Sequence, residues 1–384
     1  MIYLALGRIC HDCTSTIIKY LVSILIVFLQ ASIWAEDLDY EPVLPMGLDV
    51  SEYIVPNDNP MTDSKVEIGR LLFFDTRLSL DGTVSCAFCH SPRFAFTDGL
   101  KVSKGIKSQS GNRSAPTIVN RAFSDAQFWD GRAESLEAQV TGPMTNPIEM
   151  GMPSLEYVTE VVAGIRGYRV LFKKVFDREV NIEDIARAMA SFERTILSGN
   201  APYDRFQAGD TDAISESAKR GLKLFEDKAR CNQCHSGPNF TDEKYHNVGV
   251  DWDGNTVDLG RYLVTGQAAD IGAFKTPTLR EIDLTGPYMH DGSLATLEET
   301  IEFYDKGGNR NPFLDVEMAR PTRSLDMMLA MFEDKTNTST ELTPDEELAK
   351  LNLTSQDKVD LVNFLKALGG EGWQHIEPPD SFPE

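Results

Sequence analysis

Two cysteines three positions apart, with a histidine directly after the second, occur twice in this chain: Cys86-Ala-Phe-Cys89-His90 and Cys231-Asn-Gln-Cys234-His235. This spacing is the attachment signature of a c-type haem. The two thiols reach the two vinyl groups on one porphyrin edge. The adjacent histidine is carried beneath the ring, where its imidazole can ligate iron. With six cysteines and six histidines in 384 residues, chance produces such a motif roughly 10⁻³ times per chain on composition alone. Two copies are therefore a strong signal. A zinc ribbon would hold its cysteine pairs about 15–20 residues apart, and Cys89 and Cys231 are much farther apart than that.

The N-terminus supports the same reading. Lys19 precedes the apolar run Tyr20–Leu29, and small residues lead to Ala35. This pattern predicts a secretory signal peptide over residues 1–35, its apolar run short for a membrane span, with an uncleaved anchor as the alternative. Its removal takes away Cys10 and Cys13, so every remaining cysteine belongs to a haem motif. Attachment of c-type haem outside the bacterial cytoplasm fits a periplasmic destination. The net charge is −22, which leaves no electrostatic footprint for nucleic acid and favours a basic or neutral redox partner.

The chain also repeats itself. Gly69-Arg-Leu-Leu-Phe73 precedes the first motif and Gly221-Leu-Lys-Leu-Phe225 the second. Pro116-Thr117, Asp130-Gly131 and Leu136-Glu137 follow the first; Pro277-Thr278, Asp291-Gly292 and Leu297-Glu298 follow the second at the same late spacing. The expected fold is mainly α: two cytochrome c-like haem domains related by internal duplication. They span residues 36–200 and 201–384, with a linker over Asn200–Asp212 and a C-terminal tail that can pack back on the first domain. Asn181, Thr296 and Thr354 are expected to cap helices, the first running to Gly199. The segments 98–116 and 251–277 read as loops, and 308–350 as a long excursion.

The ligand on the far face of each iron decides its function. No histidine lies between His90 and His235, so the loop over the first haem offers none; Met144, Met150 and Met152 remain open as ligands, in a Pro/Gly-rich turn. Across the repeat, Pro143 corresponds to Tyr304. The second haem is thus offered a phenol where the first meets an inert ring. His246 and His290 read as structural, with His290 corresponding to Trp129.

These residues resemble the bacterial dihaem cytochrome c peroxidases and, more closely, their MauG-type branch. The resemblance runs from about Gly69 to Gly370. It rests on Phe128-Trp-Asp-Gly-Arg132, Asn146-Pro-Ile-Glu-Met150, Thr276-Pro-Thr-Leu-Arg280, Thr285-Gly-Pro-Tyr-Met-His-Asp-Gly292 and Phe303-Tyr-Asp-Lys-Gly-Gly308. It implies two covalent haems c. The one on His90 would react with hydrogen peroxide, with Glu149 as distal acid–base residue and Gln139 and Pro143 lining the pocket. Trp129 would relay electrons between the haems. Ser114, Thr285 and Pro287 would fall at a structural calcium, where Ser114 replaces the usual asparagine. Peroxidases of the family carry methionine at the position of Tyr304, and many carry a histidine over the first haem. This chain has the tyrosine and lacks the histidine, which is the MauG pattern. It departs from MauG at Lys228-Ala229-Arg230, where that branch has a tryptophan used on its protein substrate.

The expected activity is that of an exported dihaem oxidase that uses peroxide to oxidise a protein or other donor by long-range electron transfer. The alternatives are a cytochrome c peroxidase fed by a small cytochrome c or cupredoxin, and a dihaem electron carrier without catalysis.

Overall fold

Backbone contact between helices explains the repeated glycines. In the computed structural model, which describes residues 39–252, 257–315, 318 and 350–384, helix α1 (Asp63–Phe74) crosses a helix at Ile182–Glu193. A Cβ on Gly69 would lie 2.0 Å from the Ala188 carbonyl oxygen and 2.8 Å from Phe192 Cβ. Later in the chain a helix at Glu216–Glu226 crosses one at Ser355–Lys366, and a Cβ on Gly221 would lie 2.0 Å from the Asp360 oxygen and 2.8 Å from Phe364 Cβ. At both crossings only glycine lets the two backbones meet.

Between these pairs run α2 (Cys86–Cys89), α3 (Leu136–Thr145), α4 (Leu155–Gly164) and α5 (Arg166–Phe176). The helix at Ile182–Glu193 is α6. Then come α7 (Pro202–Gln207), α8 (Glu216–Glu226), α9 (Tyr262–Thr265), α10 (Leu297–Asp305) and α11 (Ser355–Lys366). Sheet among the described residues is limited to two antiparallel two-residue strands, β1 (Tyr245–His246) and β2 (Phe274–Lys275), with Tyr245 opposite Lys275. The protein is mainly α, as its sequence predicts. Among the described residues, no helix is long and apolar enough to cross a membrane. The expected signal peptide and most of the expected excursion lie outside the described residues.

The capping residues act as expected. Asn181 Oδ1 accepts from Asp184 N at 3.0 Å, Thr296 Oγ1 from Glu299 N at 3.1 Å, and Thr354 Oγ1 from Asp357 N at 3.1 Å. Three expectations need correction. Helix α6 stops at Glu193 rather than Gly199, because Thr195 and Ile196 turn back to the Phe192 and Glu193 carbonyls. The expected linker contains α7, which is pinned: Asp204 caps Ala201 N at 2.8 Å and forms a buried pair with Arg280 at 2.6 Å. The expected loop 251–277 holds α9 and β2.

Tyr40–Glu384 forms one compact unit with three main cores. One gathers Leu72, Met144, Phe172 and Ile185; another gathers Phe225, Leu297, Leu361 and Phe364. The third joins Phe73, Phe96 and Phe192 to Trp373 and Ile376 of the C-terminal tail.

Candidate active site

Each haem motif forms a short helical turn whose histidine is fixed by a main-chain carbonyl. His90 Nδ1 donates to the Phe96 oxygen at 3.1 Å, and His235 Nδ1 donates to the Phe240 oxygen at 2.9 Å. A carbonyl can only accept, so Nδ1 carries the proton and Nε2 keeps its lone pair for a metal. Both phenylalanines adopt positive φ, 61° and 52°, a strained backbone for a bulky residue. Burial lowers both histidine pKa values, which keeps the rings neutral.

All four motif cysteines are unpaired. Burial pushes the Cys86 thiol well up, and the Cys89 and Cys231 thiols up to about 12. A dithiol redox pair needs the opposite, a lowered thiol pKa. Unpaired, half-buried thiols beside a ligand-ready imidazole and an open cavity fit thioether attachment of haem.

The first cavity, of about 410 Å³, is lined by Cys89, His90, Trp129, Gln139, Pro143 and Glu149 among others. The sequence-predicted residues of the peroxide site therefore meet in one space. Met144, Met150 and Met152 do not line it; they are buried in the first core. Met144 lies in α3 beside Pro143 rather than in a turn. Glu149 hangs from the turn after α3, where its Oε1 accepts from Asn146 Nδ2 at 2.7 Å. Burial raises its pKa, against the nearby Arg132 charge.

The second cavity, of about 220 Å³, is lined by Cys231, Cys234, His235 and Tyr304. Burial raises the phenol pKa of Tyr304, which projects from α10. Trp129 lines both cavities, and its Nε1 donates to the Ser114 oxygen at 2.9 Å. Met289 also reaches both. Ser114, Thr285 and Pro287 meet on the wall of the first cavity. They offer carbonyl and hydroxyl oxygens, hard donors of the kind calcium takes together with waters and carboxylates.

Two further histidines, His246 and His290, are held by acids. His246 lies between Asp315, at 2.5 Å, and Asp242, at 3.0 Å. The Asp315 hydrogen bond leads in raising its pKa to about 11. Cys234, Asp242 and His246 present ligand atoms close together, but a charged imidazole and a cysteine committed to haem make a poor metal site. His290 stacks on Phe274 at 3.5 Å, pairs with Asp251 at 2.9 Å, and accepts from Ser114 N at 2.7 Å through its carbonyl.

Two buried groups escape sequence reasoning. Glu193, at the end of α6, lines the first cavity with Oε2 unpartnered. Lys275 lines both cavities. Nothing in their local sequence marks them, because their meaning depends on burial. Lys228, Ala229 and Arg230 sit just before the second motif; Ala229 and Arg230 line its cavity.

The model of the di-haem cytochrome c peroxidase family matches residues 63–212. The methylamine utilization protein MauG of Methylorubrum extorquens is 44% identical over 265 residues, 68% of this chain and 74% of that protein. The chain belongs to the di-haem cytochrome c peroxidase family. A cytochrome c551 peroxidase of Nitrosomonas europaea, 39% identical over 292 residues, covers 75% of this chain and 83% of its own length. Among solved structures, a MauG-like protein associated with microbial copper homeostasis is 30% identical with a TM-score of 0.69, over 89% of this chain and 97% of that one. The diheme peroxidase BthA of Burkholderia thailandensis shares the fold, with a TM-score of 0.68 over 90% of this chain and 97% of that one at 21% identity. This family member is accordingly a haem peroxidase with two covalently bound haems c, acting on hydrogen peroxide with a redox partner.

Proposed function

We propose that this di-haem peroxidase is of MauG type: peroxide reacts at the haem on His90, and a donor is oxidised through a second haem held by His235 and Tyr304. The observation that carries this reading is the contrast between Pro143 in the first cavity and Tyr304 in the second. When bound, the first haem supplies an iron open to peroxide and the second a one-electron store, for which a hard phenolate ligand favours the oxidised state.

The protein residues then divide the work. Glu149 takes a proton from the near peroxide oxygen and returns it to the far one. Its raised pKa moves it toward neutrality, where one carboxyl can serve as base and then as acid. Asn146 holds it in place. Gln139 and Pro143 shape the cavity around it, and Trp129 carries electrons between the sites. The balance is H₂O₂ + 2H⁺ + 2e⁻ → 2H₂O, with both electrons drawn from the donor.

Two homologous haem domains, 36–200 and 201–384, are part of this reading. The matched glycine crossings and matched histidine–carbonyl bonds support a duplication. So do Thr117 and Thr278, which donate to the Ala95 and Asn239 carbonyls at 2.6 and 2.7 Å. Export to the periplasm, expected from the sequence pattern of residues 1–35, belongs to the same reading and suits the chemistry of haem attachment.

Optical and electron-resonance spectra of the resting ferric protein test the proposal. The expected result is one high-spin and one low-spin haem without a methionine–iron charge-transfer band, and Tyr304→Phe should alter only the low-spin signal. A methionine band would instead support a cytochrome c peroxidase with a small donor protein, and an unchanged low-spin signal in Tyr304→Phe would refute the ligand.

A further inference from the structure

The wall between the two cavities contains a buried cation with no part in the chemistry above. Lys275 sits on β2, opposite Tyr245, and its main-chain N–H donates to the Trp129 carbonyl at 2.7 Å. Its side chain is only 5% exposed and borders both cavities, as Trp129 does. Its Nζ lies 3.0 Å from Glu243 Oε2. The other oxygen of that carboxylate is already engaged: Ser124 Oγ donates to it at 2.7 Å, and an Arg121 nitrogen lies 4.0 Å away. One carboxylate thus serves two buried cations, and Arg121 lines the first cavity as well.

A buried charge is poorly screened, so it acts over longer distances than a surface charge. An under-neutralised cation in a shared wall stabilises negative charge in either neighbouring space. We propose that Lys275 is the electrostatic link between the two haem sites: its ammonium, held beside Trp129 in the wall both cavities share, stabilises an electron on either haem and makes both easier to reduce. Lys275 acts here as a positioning residue for charge. The inference needs two haems but not Tyr304 as a ligand, so it stands or falls apart from the MauG-type reading.

The surroundings also set when the link works. Burial, then the Arg121 charge, brings the Lys275 pKa down to about 7, against the pull of Glu243 and the exposed Asp125. Tyr245 faces it across the ladder, and Glu193 shares the lining of the first cavity. The link is therefore present at pH 6 and fades by pH 8 as the ammonium loses its proton.

Spectroelectrochemical titration of the holo-protein tests this. At pH 6, Lys275→Met should lower the reduction potentials of both haems, whereas Lys275→Arg should keep them near wild type. From pH 6 to pH 8 the wild-type potentials should fall more steeply than those of Lys275→Arg, whose charge persists. Proton uptake at Glu149 or Glu193 is common to both proteins and cancels in that comparison. A shift confined to one haem in Lys275→Met, or none, overturns the proposal. If Lys275→Met does not retain haem, equal pH slopes in wild type and Lys275→Arg overturn it.

Discussion

Glu193 shows how much a single buried atom can cost. Its Oε2 has no partner, and burial raises its pKa from 4.5 to about 8. The folded protein therefore holds a proton that the unfolded chain releases near pH 4.5. Between these values the folded state binds more protons, so stability falls as pH rises, by about 1.4 kcal/mol per unit. Below pH 4.5 and above pH 8 the slope from this group vanishes. Glu193→Gln removes the titration. Its melting temperature should exceed that of wild type clearly at pH 8 and hardly at pH 5, a difference on the order of a few kcal/mol. Equal effects at both pH values would show that the carboxyl is already satisfied. The sequence makes Cys86, His90, Cys231 and His235 legible because attachment chemistry fixes their spacing. It reaches Glu149, Trp129 and Tyr304 through longer motifs, and Gln139 only through the family resemblance. Glu193 and Lys275 stay hidden because a glutamate or lysine in an amphipathic segment is ordinarily solvated. Only the packed chain shows that these two are not.

The loop carrying Gly105 to Gln109 acts as a clamp on the turn that carries Glu149. Ile106 N donates to the Glu149 carbonyl at 2.8 Å, and Gln109 Nε2 to the Pro147 carbonyl at 3.1 Å. Just before Ile106, a Cβ on Gly105 would lie 1.9 Å from the Ile148 oxygen and 2.6 Å from the Glu149 oxygen. These are backbone atoms, so a side chain at 105 must displace the turn. A misplacement near 1 Å can cost about 10²-fold in rate. Gly105→Ala should therefore slow the peroxide reaction by about tenfold or more in stopped-flow traces while leaving the resting spectra of both haems unchanged. Gly111→Ala, whose Cβ would meet nothing closer than 3.7 Å, is the matched control and should react like wild type. Loss of rate in both variants would mean the loop is merely sensitive to substitution. The sequence marks this stretch as a loop from its composition but not as a clamp. Its hydrogen bonds join residues some 40 positions apart, and local pattern does not carry such pairings. The capped helices are legible for the opposite reason, since Asn181, Thr296 and Thr354 act within one turn. The same limit hides α7 inside the expected linker: Asp204 makes sense only once Arg280, far along the chain, is packed against it.

At the scale of the whole molecule, the chain returns on itself. Helix α11 packs with α8, yet the residues after it join the core around α1 and α6. Glu371 pairs with Gly199 through main-chain bonds of 2.7 and 3.1 Å. Trp373 meets Phe96 edge-on at 6.0 Å, and Arg70 and Arg77 donate to the Glu377 and Pro383 carbonyls at 3.1 and 3.0 Å. Phe96 is also the residue whose carbonyl holds His90. The tail thus braces the first haem site from the far end of the sequence, while the corresponding Phe240 is packed by Tyr203, Phe225 and Phe364. This asymmetry sets different outcomes for the two haems. Trp373→Ala should cost about 3–5 kcal/mol, as for other buried aromatics cut to alanine. Its consequences should fall on the first site: the signal of the haem on His90 should broaden and that haem should be lost first on warming, while the signal of the haem on His235 persists. Parallel thermal melts followed at the two haem signals give the answer. If both signals fail together at the same lowered temperature, the tail stabilises the molecule as a whole and does not specifically support His90.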